Sequence, residues 1–97
     1  MKRTPIHPGE ILADEIKELG ISIAELARTI KIPDNRLYRL IAGKGIVSAE
    51  LALRLSRFFG TTADFWMNLQ KIYDLDVARN EIGDEIEKEI PVSRHVT

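Results

Sequence analysis

Asp34, Asn35, Arg36, Tyr38 and Arg39 crowd into one short stretch, and all five hydrogen-bond well while serving a core poorly. Arginine can pair bidentately with guanine and asparagine with adenine, each pair discriminating among bases by about 1 to 3 kcal/mol. Asp34 cannot bond a phosphate, so it would accept from cytosine or orient Arg36. From Arg28 to Lys44 the chain carries Arg28, Lys31, Arg36, Arg39 and Lys44 against Asp34 alone, a local charge of +4 on a protein of net charge -1. A basic patch on a near-neutral body suits a surface that meets phosphate. Lys44, between Gly43 and Gly45, fits a phosphate clamp at the edge of that patch. It does not fit a nucleotide-binding loop, which needs a preceding strand and the GxxxxGK[ST] spacing.

No other chemistry assembles as readily. Asp14 with Glu15, and Glu85 with Glu89, stand on polar helix faces and read as solvated surface rather than acid–base pairs. The chain has no cysteine, and its two histidines, His7 and His95, lie at opposite ends, so neither a disulfide framework nor a protein-built metal site nor a cofactor is expected. His7 beside Pro8 and Glu10 suits a helix start better than a ligand set. Trp66 could stack a nucleobase. Its spacing with Leu69, Ile72 and Tyr73 instead predicts core packing or a dimer contact. With no nucleophile–base pair or metal cluster, an enzyme is not expected.

The elements that must position the polar row are two short helices within Ser22 to Lys44. Ser22 and Glu25 have the capping-box spacing, in which hydroxyl and carboxylate satisfy the free amides of a helix start. Ile23, Leu26, Ala27 and Ile30 then repeat as one buried face. Pro33 interrupts, pushing Ile32 out of the helical region, and suits the opening of a second helix. That helix buries Leu37, Leu40 and Ile41, turns the polar row outward and stops at Gly43. A plain helical hairpin would share the apolar periodicity. The cation-rich outer face, the short turn before it and Lys44 after it match a helix-turn-helix, spanning about residues 22–43, that docks in a major groove with phosphate clamps at its sides.

Three further helices surround the pair. The first starts at Pro8, buries Leu12, Ile16 and Leu19, and ends at Gly20 in a left-handed cap; residues 1–7 form an extended lead-in. Ser48 caps the fourth, which turns Leu51, Leu55, Phe58 and Phe59 inward up to Gly60. Thr61 and Thr62 offer a cap to the fifth, expected to bury Phe65, Trp66, Leu69, Ile72, Tyr73 and Val77. Beyond Arg79 the apolar spacing thins to Ile82, Ile86 and Ile90, and from Tyr73 to Ile90 the local charge is -5. Such a segment is marginal alone and should fray unless packed on the body or on another subunit. Pro91 should close it, with VSRHVT disordered. An all-α chain is therefore expected, with a DNA-binding domain over 1–79 and an acidic, partly helical or disordered extension over 80–97. Ninety-seven residues make one domain. No run approaches the roughly 20 apolar residues of a membrane span. The start MKRTPIHPGE lacks the apolar core of a signal peptide, so a soluble, cytoplasmic protein is expected.

Several short motifs recur together. His7-Pro8-Gly9-Glu10, Ser22 with Glu25-Leu26-Ala27, Asn35-Arg36-Leu37, Gly43-Lys44, Ala52-Leu53-Arg54-Leu55, Phe59-Gly60-Thr61, Phe65-Trp66 and Leu69-Gln70 resemble the HigA-type antitoxins in order and spacing across residues 7–76. These are the virulence-associated protein I-like members of the phage-repressor-like (XRE/Cro-CI) helix-turn-helix family. The resemblance implies a five-helix repressor-like fold, a homodimer, binding to a palindromic double-stranded operator that represses the chain's own operon, and neutralisation of a HigB-type toxin, a small basic ribonuclease. By position it places Asp34, Asn35, Arg36, Tyr38 and Arg39 at the bases, and Ser22 and Lys44 near phosphates. Two residues depart from the wider family: Ile23 stands where Gln is common, and Lys31 where Gly is common in the turn. A positive φ at Lys31 would cost on the order of 1 kcal/mol. The rival readings are a stand-alone helix-turn-helix regulator without a toxin, and a module whose helix pair binds protein.

Overall fold

A computed structural model describes residues 3–93; His95 and the end of the segment expected to be disordered lie outside them. The helices are α1 (Pro8–Leu19), α2 (Ile23–Ile30), α3 (Asp34–Ile41), α4 (Ala49–Phe59) and α5 (Ala63–Glu89), with no strand among the described residues. No helix among them is long and apolar enough to cross a membrane.

Local chemistry sets the boundaries. His7 caps α1, its Nδ1 accepting from the Gly9 amide at 2.9 Å while Glu10 Oε2 accepts from the His7 amide at 3.2 Å. Ser22 caps α2 by accepting from the Glu25 amide at 3.0 Å, Ser48 caps α4 through Leu51 at 3.2 Å, and Thr62 caps α5 through Phe65 at 3.1 Å. Each cap satisfies an amide that has no partner inside its helix. Gly20 ends α1 in the left-handed conformation at φ 71°, as its position predicts. Lys31 ends α2 in the same conformation at φ 63°, the one non-glycine with positive φ among the described residues. The backbone strain expected of this turn is therefore present.

Leu12, Leu26, Leu37, Leu51, Leu55 and Trp66 form the centre of the core, each no more than 1% exposed. The Trp66 indole packs against Phe59 and Phe65 and donates to Thr61 Oγ1 at 2.8 Å, so it is a core residue and stacks on no external base. Gly9 explains one link of the HPGE motif. A Cβ there would fall 1.9 Å from the Leu40 carbonyl oxygen, so only glycine lets α1 approach the end of α3 so closely.

Three side chains expected inside are outside. Leu19 is 53% exposed, Phe65 40% and Ile72 42%. Leu19 sits on the last turn of α1, where nothing covers it. On α5 the inward line runs through Trp66, Gln70, Tyr73 and Asp76, because two polar residues, Gln70 and Asp76, are paired where they are buried, while Ile72 falls on the exposed side. Asp76 is paired with Arg3 at 3.1 Å and Arg79 at 3.6 Å. Asn80 Nδ2 donates to the Arg3 carbonyl at 3.0 Å, which straps the lead-in segment to α5. α5 continues unbroken through Arg79 and on to Glu89, so residues 80–89 of the acidic extension are helical. It ends at Ile90, extended before Pro91 as the prolyl ring requires.

Candidate nucleic-acid interface

Asp34, Asn35, Tyr38 and Arg39 occupy positions i, i+1, i+4 and i+5 of α3 and share its exposed face, while Leu37 and Leu40 hold the opposite face in the core. Tyr38 is half exposed, with no apolar neighbour on that face to bury it. Lys44 is also exposed and lies close to Arg39, since its amide donates to the Arg39 carbonyl at 2.9 Å. These five side chains form one surface of hydrogen-bonding groups rimmed by cations. Neither of two surface hollows, one of about 420 Å³ beside Arg3 and Arg79 and one of about 400 Å³ between Ile30, Leu53 and Phe58, is lined by the α3 row.

Arg36 stands apart from the row. Its guanidinium turns toward the start of α4, where Nη2 donates to Ser48 Oγ at 2.8 Å and Nη1 lies 3.5 Å from Glu50. Ser22 is exposed at the start of α2, but its hydroxyl accepts from the Glu25 amide. The structure therefore gathers Asp34, Asn35, Tyr38, Arg39 and Lys44, sets Ser22 at the other end of the helix pair, and assigns Arg36 a bracing contact.

Glu50 is a hub that sequence reading leaves unmarked beyond its place in the first turn of α4. It bonds Arg54 at 3.1 Å and faces Arg36, while Arg54 Nη1 donates to the Ile30 carbonyl at the end of α2 at 2.8 Å. The first turns of α4 thus grip both helices of the pair. The hydrogen bond and charge of Arg54 hold the Glu50 carboxyl below its ordinary pKa; slight desolvation opposes this, and Arg36 adds a smaller lowering. The i, i+4 spacing of Glu50 and Arg54 is the one signal of this in the sequence.

The helix-turn-helix family model matches residues 12–66, from the middle of α1 to Trp66. The virulence-associated protein I of Dichelobacter nodosus is 39% identical over 77 residues, covering 78% of this chain and 71% of that protein. An addiction module antidote protein of the HigA family from Coxiella burnetii superimposes with a TM-score of 0.91 at 46% identity, over 96% of this chain and 100% of that one. The Pseudomonas aeruginosa antitoxin HigA, solved with the higBA promoter, superimposes with a TM-score of 0.88 at 46% identity, over 91% and 97%. The chain is a HigA-type member of the helix-turn-helix family. Likeness to the HigA structures extends beyond the DNA-binding core: at 96% coverage it takes in much of α5 beyond Trp66, where the family model stops.

Proposed function

We propose that this chain is the antitoxin of a type II toxin–antitoxin pair, a non-enzymatic homodimer that represses its own operon and neutralises a HigB-type ribonuclease. The observation that carries the reading is the exposed row Asp34, Asn35, Tyr38 and Arg39 on the second helix of the pair, in a fold shared at 46% identity with an antitoxin solved on promoter DNA. Asn35 and Arg39 supply the bidentate groups for adenine and guanine, and Tyr38 adds a further hydrogen-bonding group beside them. Lys44, beyond the end of α3, and Ser22, before the start of α2, are the proposed phosphate contacts that set register. Two copies of α3 related by a two-fold axis would enter successive major grooves about 34 Å apart and so require a palindromic site. The acidic distal part of α5 complements a basic toxin by charge.

Titration of the promoter DNA of the chain's own operon, followed by fluorescence anisotropy at several salt concentrations, tests the repressor half. The expected result is binding that weakens steeply with salt as counterions return to the phosphates. Absence of salt-sensitive binding would overturn it. Co-expression with the product of the neighbouring gene tests the other half, with co-purification and loss of ribonuclease activity expected. A neighbour that neither binds nor is inhibited would leave a stand-alone regulator.

A further inference from the structure

We propose that His7 and Gln70, both buried, are positioning residues for DNA binding that hold the loop between α3 and α4 in a phosphate-ready conformation. The inference rests on the reading of Lys44 as a phosphate contact. The loop, residues 42–48, carries Lys44 at its tip and turns at Gly43 with φ 80°. Without outside support a glycine-flanked loop of this length would sample many conformations, and ordering it on DNA would weaken binding.

Two elements distant in sequence, the start of α1 and the middle of α5, prevent that, with a third contact from α3. His7 Nε2 lies 2.9 Å from the Gly45 carbonyl oxygen. Because Nδ1 of the same ring accepts from the Gly9 amide, the ring hydrogen is on Nε2, which donates to Gly45. The Tyr73 ring meets His7 edge to face at 4.8 Å and fixes the plane of the imidazole. On the far side of the loop the Val47 amide donates to Gln70 Oε1 at 2.7 Å, and Gln70 Nε2 donates to Asp74 Oδ1 at 2.9 Å, which sets the orientation of the amide. Arg36 holds the next residue, Ser48, at 2.8 Å. The loop is thus pinned at Gly45, Val47 and Ser48, while Lys44 and Ile46 between or beside these points face solvent.

His7 and Gln70 are each 7% exposed, too buried to touch a nucleic acid, so any effect they have on binding must pass through the loop. Helix capping and loop positioning by His7 are also separable. Asparagine is a preferred N-cap and keeps an acceptor for the Gly9 amide, but its side chain is too short to reach Gly45.

The experiment measures promoter binding by the full chain across a salt series for the wild type, Lys44→Ala, His7→Asn, Gln70→Met and each double variant with Lys44→Ala, with thermal unfolding in parallel. The expected result is a loss of about five- to tenfold for His7→Asn and for Gln70→Met, with a slope of log K against log salt shallower by about 0.9, one phosphate contact. In the Lys44→Ala background neither change should have further effect, a coupling that general destabilisation would not produce. Unchanged affinity and slope in folded His7→Asn and Gln70→Met, or losses that simply add to that of Lys44→Ala, would overturn the proposal while leaving the DNA-binding reading intact. A wild type without salt-sensitive binding would instead remove the reading beneath it. Should the variants not fold, backbone order parameters of residues 44–46 in the free wild type decide: about 0.85 supports a held loop, and below about 0.6 overturns it.

Discussion

The exposed face of α3 and the exposed row of α5 are both helix surfaces turned to water, and they are built on opposite plans. α3 shows polar and cationic side chains on a short helix whose two ends are fastened, by Arg54 at the preceding turn and by the pinned loop that follows. α5 shows Ile72, Leu75, Ile82 and Ile86, each 42 to 47% exposed, on a helix whose last turns are largely exposed and carry Glu81, Asp84, Glu85, Glu87 and Glu89. Those four are spaced three, seven and four residues apart, a three–four repeat of the kind by which helices pair, with Arg79 at the position between Leu75 and Ile82. A surface rigid in backbone and rich in donors suits a partner of fixed, repeating geometry, such as duplex DNA. An apolar row flanked by carboxylates suits a protein.

Breaking the α5 side should have the largest effect. Removing residues 80–97, or changing Ile82→Glu with Ile86→Glu, is expected to abolish toxin capture or to halve the oligomer mass, read by pull-down and light scattering. No change in either would mean that the row contacts neither the toxin nor a second copy. The α3 side is next. Arg39→Ala should weaken promoter binding tenfold or more at matched salt with the thermal midpoint unchanged, since a base-pair contact is worth about 1 to 3 kcal/mol. Arg36→Ala should differ in kind, lowering the thermal midpoint through loss of the Ser48 bond, worth about 1 kcal/mol. An unaltered midpoint there would return Arg36 to the base-facing group.

Smaller effects sharpen the contrast between fastened and free ends. Lys31→Gly should raise stability by up to about 1 kcal/mol by relieving the positive φ, measured by denaturant unfolding. Glu50, with its pKa depressed in the folded state, contributes stability that is present above the ordinary glutamate pKa and lost as pH falls through the lowered value. Glu50→Gln should therefore lower stability at neutral pH and leave it nearly unchanged at acid pH, which flattens the acid limb of the stability–pH curve, and by a modest amount because the group is exposed and screened.

The helix starts and stops were legible because each is decided within a few residues: Ser22 with Glu25, Ser48 with Leu51, Thr62 with Phe65, and Gly20 past Leu19. The polar row on α3 was legible for the same reason, since period and residue type together say which face is wet. The inward face of α5 was legible only in part: Trp66 is buried and Leu69, Tyr73 and Val77 are partly buried as expected, but Gln70 and Asp76 were missed. Periodicity counts apolar residues, and Gln70 and Asp76 are buried because partners from elsewhere in the chain satisfy them.

By its local signals the sequence determined five helices, the break before Pro33, a basic patch over residues 28–44 and an acidic one over 73–90. Only the tertiary structure decided that Arg36 braces α4, that Glu50 and Arg54 clasp the helix pair, and that the loop bearing Lys44 is held from both sides. The physical reason is distance along the chain. His7 meets Gly45 across 38 positions, Val47 meets Gln70 across 23 and Arg3 meets Asp76 across 73, pairings that local spacing cannot encode and that exist only once the core has brought the helices together.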